Sequence, residues 1–412
     1  MNDASGILND PRLARLFAAL RATGCEARVV GGAVRDALLG LTPHEIDVAT
    51  PALPEAVMKA ARDAGLKAVP TGVEHGTVTI VVDGAPFEVT TLRHDVETYG
   101  RAAKVRFGAD FEEDALRRDF TVNALSLSPD GQLHDYAGGV ADLARRKIRF
   151  IGDPATRIAE DYLRVLRFFR FHASIGEGPL DPAGFHAAIM AKERLSALSR
   201  ERIRAELLKF LVTRRAVETA REMSQAGFTE VLLGMAYPAR LERFVAFEKS
   251  SGAKPDAIAR LAAFAVMVFE DAGRMRERLR LSNAEYERLA RAAKAIEGLH
   301  GRAGDFSAQE LNELLFLHGR TGASDALALA QADSSDAADD DSWRASAQFL
   351  EDAEAPAFPV KGADLIALGV APGQALGAAL KRLQANWIRA GFPRDPRKVK
   401  LLLEEIARKS ID

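Results

Sequence analysis

Residues 29–50 read VVGGAVRDALLGLTPHEIDVAT. A β-rich run ends in Gly31-Gly32, an amphipathic segment Ala33–Leu39 follows, and Glu45-Ile46-Asp47 comes thirteen residues after Gly32. Glycine lets backbone N–H groups approach an anion closely, and the start of the following helix adds partial positive charge. The turn is therefore a phosphate cradle, and Arg35, beside Asp36, offers a guanidinium fork for phosphate oxygens. It lacks the third glycine of a dinucleotide fingerprint and the lysine of a P-loop. The spacing predicts a strand over Glu45–Ala49, where residues two apart share a face. Glu45 and Asp47 then aim four oxygens at one spot, a donor set suited to Mg²⁺ beside a triphosphate.

Working outward, residues 8–23 read as an amphipathic helix, Ala27–Val30 as a strand and Pro54–Ala64 as a helix. The stretch HGTVTIVVDGAPFEVTTL (75–92) is a β-hairpin around Asp83-Gly84. Glu88 on its second strand is the candidate third carboxylate. A two-metal site uses such a group to hold the ion that activates an attacking 3′-hydroxyl, its partner ion lying roughly 3.5–4 Å away. Residues 93–108 are polar with few periodic apolar positions and read as a loop. A helix end, a strand, a Pro-Asp-Gly turn and a return strand follow, up to about residue 138.

After Ile148 strand signals nearly vanish. Segments 157–172, 182–192, 199–213, 215–225, 238–249, 256–270, 283–298, 308–318, 375–390 and 397–408 read as helices. The Ala-, Ser- and Asp-rich stretch 321–345 reads as a solvated connection. The pattern is α+β: a mixed sheet with helices, then an all-helical remainder. With 412 residues, several domains are expected. The boundaries suggested are 1–145, 146–215, 216–345 and 346–412.

The single cysteine, Cys25, excludes a disulfide framework and a cysteine zinc site, and it fits a reducing cytoplasm. There is no signal-peptide pattern and no apolar run of membrane-spanning length, so a cytoplasmic location without membrane association is expected. Net charge is only −2, so any grip on nucleic acid must come from local basic patches, and 145–215, which holds many basic residues, is the expected footprint. After residue 172 the histidines are His186, His300 and His318, in no metal-ligand spacing, and no phosphohydrolase activity is expected.

RRDFTVNAL (117–125), EDYLRVLRFFRF (160–171) and SRERIRAEL (199–207) follow GGAVRD…EID, HGTVT and FEVTTLR in one order. This set resembles the tRNA nucleotidyltransferase/poly(A) polymerase family in its bacterial–eukaryotic class, continuously over about residues 26–215. The tail PVKGADLIALGVAPG (359–373) is similar to that of CCA-adding members. The resemblance implies a polymerase β-like nucleotidyltransferase head (1–145), a base-reading helical neck (146–215), a helical body (216–345) and a tRNA-binding tail (346–412).

The resemblance also implies roles. Glu45, Asp47 and Glu88 are the catalytic carboxylates and hold two Mg²⁺ ions. Gly31, Gly32, Arg35, Arg118, Asp119, Asn123 and Arg167 bind triphosphate and ribose. Asp161 and Arg164, three apart on one helix face, read the Watson–Crick edge of the incoming base. Arg170, Arg200, Arg202 and Arg204 contribute to RNA binding, the last three also bracing the base-reading helix. Phe168, Phe169 and Phe171 read as core.

The implied activity is template-independent addition of CCA to the 3′ end of tRNA, with CTP and ATP as substrates and no protein partner implied. Alternatives are a bacterial poly(A) polymerase, a CC-only or A-only enzyme, and, from a different class, an RNA-binding protein without catalysis. One departure stands out: the family's first carboxylate is normally Asp, and here it is Glu45. Arg93, Asp95 and Gly100-Arg101, in the loop linked to the switch from C to A, favour full CCA addition.

Overall fold

The structure, a computed structural model, describes residues 3–99, 102–108 and 110–411. The chain divides into two compact units, Met1–Gly234 and Met235–Asp412. Among the described residues no helix is long and apolar enough to cross a membrane.

Unit one is built on strands β1 (Arg28–Val30), β2 (Asp47–Thr50), β3 (Lys67–Gly72), β4 (Thr77–Val82), β5 (Ala85–Thr91), β6 (Arg93–Tyr99), β7 (Ala102–Phe107), β8 (Leu125–Leu127) and β9 (Leu133–Asp135). Its α-helices are α1 (Pro11–Leu20), α2 (Gly32–Leu38), α3 (Pro54–Asp63), α4 (Phe111–Leu116), α5 (Gly139–Ala144), α6 (Pro154–Glu160), α7 (Leu163–Ile175), α8 (Pro182–Ala191), α9 (Arg200–Leu211), α10 (Ala216–Gln225) and α11 (Phe228–Leu233). Seven strands form one mixed sheet in the order β3-β4-β5-β2-β1-β8-β9. Among the described strands only β2 and β5 run parallel, because α3 and the β3–β4 pair are inserted between them. The β4–β5 hairpin turns at Asp83-Gly84, with positive φ at both residues (49° and 81°), as a two-residue turn of this hand requires. Alternation sets its faces: Val78, Ile80, Phe87 and Val89 are buried while Glu88 stays exposed between the last two.

Residues 93–108, expected as a loop, contain β6 and β7, paired antiparallel as a separate ribbon. The sequence of 93–108 has few periodic apolar positions, so the backbone pairing of these two strands left no alternation to read. Gly100 and Arg101 lie outside the described residues.

The predicted helix 157–172 is two helices, with Asp161 in extended backbone between them (φ −155°, ψ 107°). The Asp161 carboxylate accepts the Leu163 N–H at 3.1 Å, a local bond that competes with helix continuation. An aromatic cluster joins α7 to the sheet segment: Phe120 lies 4.8 Å from Phe150 and 5.4 Å from Phe171, centroid to centroid, and Phe150 lies 5.4 Å from Phe168. Phe168, Phe169 and Phe171 are all buried, as expected of core. Burying each such ring contributes roughly 1.5–3 kcal/mol.

Unit two comprises α12 (Pro238–Ser250), α13 (Ala257–Ala265), α14 (Phe269–Leu279), α15 (Asn283–Ile296), α16 (Ala308–Asp333), α17 (Asp341–Asp352), α18 (Gly362–Ala367), α19 (Gln374–Arg389) and α20 (Pro396–Ile411). The expected helix 256–270 is broken into α13 and α14. The stretch 321–345 is not a solvated connection. Ala323, Ala326, Leu327 and Ala330 continue α16 as a buried face, and Trp343 on α17 is fully buried. The Asp cluster that suggested solvation has local work: Asp340 accepts the Ser342 and Trp343 N–H groups and Asp336 accepts the Trp343 indole N–H at 2.7 Å.

His172 on α7 is buried, and its Nε2 faces Arg215 at 3.3 Å. Burial, then the Arg215 charge, pushes its imidazole down to about 4. The unfolded chain takes up this proton near the ordinary histidine value, so native stability is intact above it and is lost as pH falls from about 6.5 towards 4. Urea denaturation across that window should show a loss of about 2–3 kcal/mol from this group, absent in a His172→Gln variant. Identical pH slopes in the two proteins would contradict the assignment.

Candidate active site

The sheet register builds the acidic centre. Asp47 at the start of β2 pairs with Glu88 on β5 and with Val30 on β1. Registered neighbours project to one face, so both carboxylates stand on the same side of the sheet, and both are exposed. Glu45 lies in the lead-in rather than in β2, so its nearness does not come from the strand alternation predicted for it. Asp47 feels all of this: partial loss of water raises its pKa, Glu88 raises it further, Arg118 opposes, and Glu45 adds a smaller upward push.

Among the described residues no three His, Cys, Asp or Glu side chains are drawn together tightly enough to hold a metal ion. What the structure shows of the three carboxylates is adjacency of Asp47 and Glu88 and the charge of Glu88 and Glu45 felt at Asp47. The donor set itself is all hard oxygen and fits a divalent cation.

The glycine turn lies next to this centre at the end of β1. Gly31 has φ 70° and ψ −123°, and its N–H donates to Leu125 O at 2.8 Å. A Cβ on Gly31 would stand 2.7 Å from Arg118 Nη1, whereas one on Gly32 would meet Arg35 Nη2 at an ordinary 3.6 Å. Two guanidiniums thus crowd the turn. Arg118 donates to Asn123 O at 3.2 Å and to Asp114 at 3.1 Å, and Arg35 donates to Asn123 Oδ1 at 2.6 Å and to Asp36 at 2.8 Å.

Asp119 and Asn123 lie beneath these arginines. Asp119 is buried and accepts from Arg167 Nε at 2.6 Å, from Asn123 Nδ2 at 3.2 Å and from the Phe120 N–H at 2.9 Å. Burial pushes its carboxyl up, but Arg167 and the hydrogen bonds prevail and hold it below the usual range. Asp119 is thus a strut rather than a free acceptor. A continuous chain, Arg35–Asn123–Asp119–Arg167, ties α2 to α7.

Asp161 and Arg164 do not share a helix face, because the helix starts afresh after Asp161. Asp161 accepts from Arg202 Nη2 at 2.6 Å, while Arg164 is paired with Glu160, which also holds Arg157 at 3.1 Å. Arg170 donates to buried Glu206 at 2.6 Å. Arg200 is exposed and Arg204 partly buried on the same helix as Arg202. Asp114 and Glu206 are not among the residues expected from the sequence; Asp114 has a spacing signal, four residues before Arg118.

Residues 27–149 match the family model described as Poly A polymerase head domain, and 180–238 match that described as Probable RNA and SrmB- binding site of polymerase A. The chain is 33% identical over 386 residues to the CCA tRNA nucleotidyltransferase 1, mitochondrial, of Homo sapiens, covering 89% of this chain and 84% of that one. It is 31% identical over 396 residues to the CCA-adding enzyme of Limosilactobacillus fermentum, covering 92% and 93%. The crystal structure of the Bacillus stearothermophilus CCA-adding enzyme in complex with CTP superposes with a TM-score of 0.78 at 26% identity, over 100% of both chains. Fold and site together define a nucleotidyltransferase. The chain belongs to the family of CCA-adding tRNA nucleotidyltransferases.

The glycine turn yields a prediction. Gly31→Ala puts an L-residue at positive φ against Arg118 and should cost about 1–3 kcal/mol of stability. Gly32→Ala should be nearly neutral. Thermal melts of the two variants check this, and equal melting temperatures would refute the strain at Gly31.

Proposed function

We propose that this chain adds CCA to the 3′ end of tRNA from CTP and ATP, without a nucleic-acid template, by two-metal nucleotidyl transfer. The observation that carries the mechanism is the pairing of Asp47 with Glu88 on parallel neighbours beside the glycine turn. Glu45, Asp47 and Glu88 would hold two Mg²⁺ ions, which when bound lower the pKa of the attacking 3′-hydroxyl and stabilise the leaving pyrophosphate.

The chain's own residues do the rest. Gly31 and Gly32 let the triphosphate approach the backbone. Arg35, Arg118 and Arg167 neutralise its charge from the sides of the turn. Asp119 and Asn123 hold these arginines in place, and reading of the ribose by either requires exchanging one of their present bonds for a substrate hydroxyl. Asp161 and Arg164 present an acceptor and a donor fork to the base. Arg202 and Glu160 fix their orientation, so protein side chains replace a template.

Arg170, Arg200, Arg202 and Arg204 belong to the basic surface of 145–215 that meets RNA. The four-part division at 145, 215 and 345 belongs to this reading, with the tail holding tRNA. So does a cytoplasmic location, which the single Cys25 favours.

The test is addition to tRNA lacking its 3′ end, with Mg²⁺ and each nucleotide alone or together. Three residues followed by a stop is the expected result. A long A tail on general RNA, or a stop after two C residues, would replace this reading with a poly(A) or CC-only one. Asp47→Ala should abolish addition while tRNA binding persists, because only metal ligation is removed; unchanged turnover would take Asp47 out of the mechanism. Arg164→Ala should blur the choice among the four nucleotides more than it weakens tRNA binding. Unaltered discrimination would refute base reading by Arg164.

A further inference from the structure

Three guanidinium groups pack against one phenyl ring. Arg170 Cζ lies 4.2 Å from the Phe171 centroid, Arg35 Cζ 5.1 Å and Arg167 Cζ 5.3 Å. Phe171 is 7% exposed and stands edge-on to Phe120. Two of the cations come from its own helix and one from α2. Each also has an anion or amide partner: Arg170 has Glu206, Arg167 has Asp119, and Arg35 has Asp36 and Asn123.

Asp119 and Glu206 hold Arg167 and Arg170 at Nε, leaving the swing of each plane to be set by what it lies against, while Asp36 and Asn123 hold Arg35 at Nε and at both Nη atoms. An aliphatic side chain of the same size would fill the space. It would not offer the negative face of an aromatic ring, which attracts all three cations at once and offsets their mutual repulsion. The packing reaches the glycine turn directly, because Arg35 Nη2 is the atom that a Cβ on Gly32 would touch.

We propose that Phe171 is a positioning residue for the triphosphate. Its electron-rich face sets the plane of the Arg167 guanidinium and gathers it with Arg170 and with Arg35, the cation that reaches Gly32, in one cluster. The proposal rests on the functional reading above and adds to it a residue that touches no substrate. Phe171 thus has two duties: its edge belongs to the Phe120 cluster, and its face sets the geometry of the phosphate-binding cations.

The experiment replaces Phe171 in the full chain with phenylalanines bearing increasing numbers of ring fluorines, which keep the shape nearly constant and progressively deplete the ring face. Three quantities are measured for each: the melting temperature, the Kd for CTP with Mg²⁺, and kcat and KM for CTP on tRNA lacking its 3′ end. The expected result is a stepwise rise of Kd and KM, about three- to tenfold across the series, with kcat and melting temperature little changed. Phe171→Leu should resemble the most fluorinated ring in Kd. A Kd and KM flat across the series, with losses only in Phe171→Leu and only alongside a lowered melting temperature, would overturn the proposal and leave Phe171 as packing alone. If the unsubstituted chain binds CTP yet adds nothing to tRNA, the functional reading fails, while the Kd series still decides the role of Phe171.

Discussion

The parallel pairing of β2 with β5 is the constraint on which the site depends. It places Asp47 directly beside Glu88 on one face of the sheet. Like charges on registered neighbours oppose sheet formation, and here loss of water and then Glu88 raise the Asp47 carboxyl while Arg118 opposes them without reversing the rise. A sequence optimised for stability alone would not keep this pair. The sheet tolerates it because the rows that follow are anchored in the core: Val48 and Val89, and Ala49, are buried. The local conflict marks the functional centre, as is usual where folding and function compete.

Everything cationic around that centre is held by something anionic or aromatic. Asp114 holds Arg118, Asp119 holds Arg167, Glu206 holds Arg170 and Glu160 holds Arg164. Several of these acids are buried, so each pair is charge-assisted and directional and fixes a guanidinium more firmly than a surface ion pair does. The Phe120–Phe150–Phe168–Phe171 cluster then ties α7 to the sheet segment that carries Asp119 and Asn123. The acidic centre, the arginines around the glycine turn and the Asp161–Arg164 segment are thus parts of one compact unit, Met1–Gly234.

Much of this was legible in the sequence because it rests on local chemistry. The glycine turn, the Asp83-Gly84 hairpin and the apolar periodicity of the helices are written within a few residues of where they act. What escaped was decided at a distance. Asp161 sits in a helical pattern, and only its bonds to the Leu163 N–H and to Arg202 reveal the break. The 321–345 stretch looks polar in composition, yet Trp343 packs beside Phe306, in the segment before α16, and Phe247 on α12. The resemblance implies a substrate-binding role for Asp119, whereas the partner that occupies it, Arg167, lies 48 residues away. Glu45 was placed on a strand that begins only at Asp47.

Divalent-ion binding tests the central claim most directly. Mn²⁺, a spectroscopically visible substitute for Mg²⁺, is titrated in the presence of CTP into the unsubstituted chain and into Asp47→Asn and Glu88→Gln, with melting temperatures taken alongside to show that each remains folded. If these two acids form one ion-holding centre, saturable binding in the unsubstituted chain is lost or sharply weakened by either substitution. Mn²⁺ isotherms that coincide for all three proteins would contradict the account.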